Sequence, residues 1–106
     1  MQKIVPHLWY DKEAREAAMF YISLFDNSRI VYTRVIKNPP PLSDAEIICF
    51  ELSGQQFASI SAGPYFKLNS TISLVVACST IEEVDKLWMK LSNGGKELMP
   101  LGEYLF

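Results

Sequence analysis

The sequence has one histidine, His7, and two cysteines, Cys49 and Cys78. A zinc site needs several nitrogen or sulfur ligands at close spacing. No CxxC pair and no second imidazole supply them. Two cysteines allow one disulfide at most, and their wide separation reads instead as two free thiols in a reducing cytoplasm. Both lie in alternating, strand-like runs, where a thiol is buried and inert rather than nucleophilic. Basic charge is also scarce. Ten Lys and Arg stand against twelve Asp and Glu, giving a net charge of -2. A phosphate-tracking surface needs the opposite balance, so nucleic acid is not an expected partner. No apolar run approaches the ~20 residues of a membrane span. The opening "MQKIVPHLWYDKEA" has no small-residue cleavage site, so neither secretion nor membrane association is expected. No GxSxG elbow is present, and no Gly-rich loop joins a strand to a helix. Those two absences remove a serine-hydrolase frame and a nucleotide-type cofactor site. No cofactor is expected.

What is present is an ordinary globular composition, 49% hydrophobic and 21% charged, in a chain of 106 residues. That supports one domain with one core. "KIVPHLWYD" reads as a first strand over 3–11, rich in β-branched and aromatic residues, with Pro6 marking an edge or bulge. Asp11 is placed to cap the helix that follows. In "DKEAREAAMFYISLF", Ala14, Ala17, Ala18, Tyr21, Leu24 and Phe25 repeat at amphipathic-helix spacing. The alanines allow close approach to a sheet. "DNS" ends that helix, "RIVYTRVI" is a second strand, and the prolines of "KNPPPLSD" make a loop.

"AEIICFELSGQQFASIS" is a hairpin turning at Ser53-Gly54. Ile48, Phe50 and Leu52 share one face of its first strand, with Cys49 and Glu51 on the other. "TISLVVAC" alternates as a further strand, with Ile72, Leu74 and Val76 on its helix-facing side. "STIEEVDKLWMKLSNGG" is a second helix. Thr80 and Glu83 are spaced as a capping box, and Asn93-Gly94-Gly95 supplies a left-handed stop. Ile81, Val84, Leu87, Trp88 and Leu91 form its apolar stripe. "KELMPLGEYLF" begins a last strand. The order is β-α-β-β-β followed by β-α-β, two related modules of which the second is shortened. Module one spans about 1–62 and module two about 70–106 of a single domain.

That order, with the phrases "KIVPHLWYD", "EAAMFYISLFDNSRI", "FELSGQQFASISAGPYFKLNSTISLVV" and "STIEEVDKLWMKLSNGG", resembles the PhnB-like branch of the vicinal oxygen chelate (glyoxalase/bleomycin-resistance) superfamily. Many of its members carry a demethylubiquinone methyltransferase label. The resemblance covers essentially the whole chain. It implies an α+β fold of paired β-α-β-β-β modules curved around a small-molecule cavity, completed as a homodimer. A full second module would need two more strands after "KELMPLGEYLF". Metal-dependent members place His or Glu on each of four strands. Strand parity puts Val5, Thr71 and Ser59 or Ser61 at those positions here, and none is a good ligand for a divalent ion. No metal site is expected.

A binding cavity is the remaining expectation. By alternation Ile4, Leu8 and Tyr10 pack on the first helix, while Val5, His7 and Trp9 face inward. Thr71, Ser73 and Val75 face inward too, and Ser59 and Ser61 are expected to join them. Phe66 and Asn69, in the "GPYFKLN" connection, form the rim, with Pro64 fixing a turn and Lys67 solvated. The expected ligand-binding set is therefore His7, Trp9, Ser59, Ser61, Phe66, Asn69 and Ser73, an indole, an imidazole and hydroxyls on an apolar base. Two other readings compete. One is an assembly module whose free sheet edge pairs with a partner. The other is a dimeric ferredoxin-like α+β barrel.

Overall fold

The computed structural model describes residues 2–69 and 71–95. They divide into two compact units, with the break between Ile72 and Ser73. The first unit carries β1 (His7–Tyr10), α1 (Ala14–Ile22), β2 (Arg29–Ile36), β3 (Ala45–Leu52) and β4 (Gln55–Ser61). This is the expected β-α-β-β-β order. The strands form one sheet in the order β1-β4-β3-β2. β1 runs parallel to β4, and the other neighbours are antiparallel. A ferredoxin-like unit needs a helix between its third and fourth strands. Here β3 and β4 are joined by the tight turn at Ser53-Gly54, so that alternative is set aside.

The turn forms because Ser53 and Gly54 both adopt positive φ, 50° and 84°, as two-residue hairpins favour. The preceding 26–28 turn docks on it. Ser53 N donates to Ser28 Oγ at 3.2 Å, and Ser53 Oγ to the Asp26 carbonyl at 3.3 Å. Register then fixes the faces. Phe50 pairs with Phe57 and Ile48 with Ser59, and directly opposed residues share a side. The core is Ile48, Phe50 and Phe57 beneath Ala14 and Ala18 of α1. The two alanines are fully buried, and their small side chains let the helix backbone lie close to the sheet. Phe50 and Phe57 stack with centroids 5.6 Å apart. Each such aromatic stabilises the fold by roughly 2–3 kcal/mol through apolar burial.

Several expectations need correction. β1 is shorter than residues 3–11. Pro6 has no N–H to donate, although its carbonyl accepts from Ala58 N at 2.9 Å. Ahead of it, Gln2 substitutes a side-chain amide for ladder bonds. Its Oε1 accepts from Gln56 N at 2.9 Å and its Nε2 donates to the Gln56 carbonyl at 3.1 Å. Ile4 does not pack on α1; it is 82% exposed. Helix α1 starts at Ala14, and Asp11 does not cap it. Glu13 occupies the capping position without bonding a helix amide; its Oε2 accepts instead from Lys12 N at 3.4 Å. The segment "TISLVVAC" is not a strand, and Val75 is 93% exposed. A strand exists through its partner's hydrogen bonds, and among the described residues none pairs with it. The last expected strand, from Lys96 onward, lies outside the described residues.

The second unit holds α2 (Ile81–Ser92). Thr80 Oγ1 accepts from Glu83 N at 3.1 Å, as the capping box requires. The reciprocal half differs. The Glu83 carboxylate accepts from Ser79 N at 3.3 Å, one residue earlier than expected. Gly94, with φ 79°, gives the left-handed stop. Of the apolar stripe only Leu87 is buried, while Ile81, Val84 and Leu91 are exposed. Among the described residues no helix is long and apolar enough to cross a membrane.

Candidate functional site

The parallel pairing of β1 and β4 brings the C-terminal ends of both strands side by side, and the ladder continues past them. Ala62 N donates to the Tyr10 carbonyl and Gly63 N to the Asp11 carbonyl, both at 3.1 Å. The Trp9 indole adds a third tie, Nε1 donating to the Gly63 carbonyl at 2.9 Å. Gly63 has φ 99°, a backbone state that side chains beyond glycine resist. Its turn sends the chain back across the end of β1. Phe66 thereby meets Trp9 with centroids 5.0 Å apart and planes at 88°.

Under this crossing lies an open cleft of about 240 Å³. Trp9, Tyr10, Asp11 and Glu13 line one side, from β1 to the start of α1. Pro64, Phe66, Lys67 and Leu68 line the other. All belong to the first unit. Tyr10 has a second role. It packs against the core, and burial, followed by the neighbouring Tyr21 hydroxyl, raises its pKa above the usual phenol value.

Of the expected binding residues, the structure brings Trp9 and Phe66 together. His7 lies on the same face of β1 as Trp9, is exposed, and does not line the cleft. Asn69 turns its Oδ1 to accept from Thr71 N at 2.9 Å. Ser73 is exposed and belongs to the second unit. The facing expected for Ser59 and Ser61 is wrong. Both lie on the helix side, paired with Leu8 and Tyr10 of β1. Ser61 Oγ accepts from Ala14 N at 2.9 Å and so caps α1 from across the sheet. Ser59 is fully buried, and its hydroxyl has no partner among the described residues.

Sequence reasoning misses Tyr10, Asp11, Glu13, Pro64, Lys67 and Leu68 as cleft residues. Asp11 carries the usual signature of a helix cap and reads as one; Lys67 reads as solvated, and is in fact exposed at the rim. The parallel β1–β4 pairing was the informative signal, because it places both strand exits at one spot.

The metal positions implied by the superfamily do not fit a metal. Val5 and Thr71 carry no strong donor, and Ser59 and Ser61 are turned under the helix. Among the described residues no three His, Cys, Asp or Glu side chains converge.

A family model described as 3-demethylubiquinone-9 3-methyltransferase matches residues 2–103. Among solved structures, a Bacillus cereus PhnB protein, named for the same methyltransferase, is similar with a TM-score of 0.86 and 38% identity. The match covers 97% of this chain and 83% of that one. A Staphylococcus aureus protein matches at 30% identity and a TM-score of 0.47, over 94% of this chain and 75% of that one. No curated protein matches the sequence.

Proposed function

The chain belongs to the PhnB-like 3-demethylubiquinone-9 3-methyltransferase family, and from that premise we propose that it binds a small, partly aromatic molecule in the cleft beside Trp9. One observation carries this reading. Trp9 is pinned by its indole N–H to Gly63 and crossed at right angles by Phe66, so two aromatic walls stand fixed over open space. Pockets for small molecules combine such apolar walls with a few polar groups. Asp11, Glu13 and Lys67 are those groups. The reading is one of binding and assigns no reaction. The proposal extends to a vicinal oxygen chelate type of protein acting without a metal, and what supports it is that Val5, Thr71, Ser59 and Ser61, at the superfamily's ligand positions, are poor ligands for a divalent ion. A homodimer in the cytoplasm completes the proposal. Its support is the sheet face opposite α1, where Trp9, Ile47, Cys49 and Ile60 are only half-buried within the unit.

A thermal-shift screen of neutral, cationic and anionic aromatic compounds against the full chain tests it. A specific binder held at a hundred times its Kd stabilises the fold by about 2.7 kcal/mol. The shift should be lost in Phe66→Ala, whose side chain is exposed and outside the core. No shift with any class of compound, or an undiminished shift in the variant, would sink the reading.

A further inference from the structure

We propose that the ligand of this cleft carries a methylated ammonium group beside its apolar part. The inference rests on the binding reading above and adds the sign of the ligand's charge. Three observations converge on it.

The first is the aromatic corner. Ring faces carry the negative part of an aromatic quadrupole and attract cations. Trp9 and Phe66 stand at 88° with centroids 5.0 Å apart, so a rounded cation set in the corner meets aromatic surface on two sides. The second is the set of hydrogen-bonding groups left over. The indole N–H is spent on the Gly63 carbonyl. It is not available to hold an anion. The third is charge. Asp11 and Glu13 both line the cleft, against the single ammonium of Lys67. The ion pairs of the described residues engage other carboxylates, Glu46, Glu51 and Asp44. A methylated ammonium fits all three. It needs no hydrogen-bond acceptor geometry, it presents apolar methyl groups to the rings, and its charge answers the carboxylates.

The test uses the full chain in a Trp88→Phe background, which leaves Trp9 as the sole indole. Phenyltrimethylammonium, choline, neutral 3,3-dimethyl-1-butanol and benzoate are titrated while the Trp9 emission and its indole N–H resonance are followed. Choline should bind about tenfold more tightly than its neutral isostere, as a cation–π contribution plus a carboxylate predicts. Asp11→Asn with Glu13→Gln should remove that preference and bring choline to the affinity of the neutral alcohol. Equal affinity for choline and the alcohol, or tighter binding of benzoate, overturns the charge assignment while the binding reading stands. If none of the four compounds perturbs Trp9, both fail.

Discussion

Ser59 and Ser61 sit two residues apart on β4 and face the same side of the sheet, yet their hydroxyls act oppositely on stability. Ser61 satisfies a helix amide that Glu13 leaves open. Ser61→Ala should therefore cost about 1 kcal/mol, the usual loss for a helix cap. Ser59 buries a hydroxyl without a partner among the described residues, an arrangement that costs about 1–3 kcal/mol. Ser59→Ala should leave stability unchanged or raise it by about 1 kcal/mol. Chemical denaturation of the two variants separates them, and a Ser59→Ala variant less stable than Ser61→Ala would contradict both assignments. The facing of these serines was open to arithmetic. A two-residue turn at Ser53-Gly54 pairs Phe50 with Phe57 and Ile48 with Ser59, so the hydrophobic face of β3 already fixes the side. Polarity points the other way, and register overrides it because a one-residue shift would turn every side chain of the strand over. The nearness of Trp9 and Phe66 to one cleft was legible from alternation and from the Gly-Pro turn. The right-angled crossing was not, since it depends on the Gly63 carbonyl reaching the indole.

At the scale of elements, local chemistry settled the pieces that close on themselves. The hairpin turn, the Thr80 cap and the β2 strand follow from residues adjacent in sequence. The segment "TISLVVAC" shows the limit. Its β-branched alternation specifies a surface that suits a sheet, but only a partner's backbone makes it a strand. The 37–44 loop is closed by another local device. Lys37 Nζ donates to Asp44 Oδ2 at 3.0 Å, and Asn38 N to Asp44 Oδ1 at 3.2 Å. The lysine bond, then the backbone amide, holds the Asp44 pKa below its usual value. A carboxyl depressed in the folded state stabilises the protein above its unfolded pKa of about 3.9 and loses that contribution as pH falls through the folded value. Wild type should thus melt slightly above Asp44→Asn at pH 7, and the gap should close on acidification below pH 4. A gap that persists to pH 2 would show that the carboxylate is not its source. Both partners are solvated, so the effect is small and shrinks with salt.

At the scale of the whole molecule, burial is concentrated in the first unit. Ile48, Phe50, Phe57, Ser59, Ala14 and Ala18 are shielded there, whereas α2 buries Leu87 alone. Amides of core strands open only with large free energy, and those of poorly buried elements open readily. Hydrogen exchange should therefore be slowest along β3, which is bonded on both sides, and faster by at least an order of magnitude along Ile81–Ser92. Protection of α2 equal to that of β3 would mean that this helix is covered in solution, as the homodimer proposal allows for an apolar stripe.

The bond from Ala14 N to Ser61 Oγ also sets an order of events. Synthesis runs from the N-terminal side, so β1 and α1 are made before β4. Neither can be completed then. β1 has its ladder partner in β4, and α1 has its cap there too, 47 residues downstream of Ala14. A nine-residue helix is marginal in water without tertiary support. The β3–β4 hairpin, closed by its own turn, has no such wait. The nascent chain therefore carries an unfinished, apolar β1–α1 segment until the hairpin is out, and it is the last strand of the first unit that lets these two elements set.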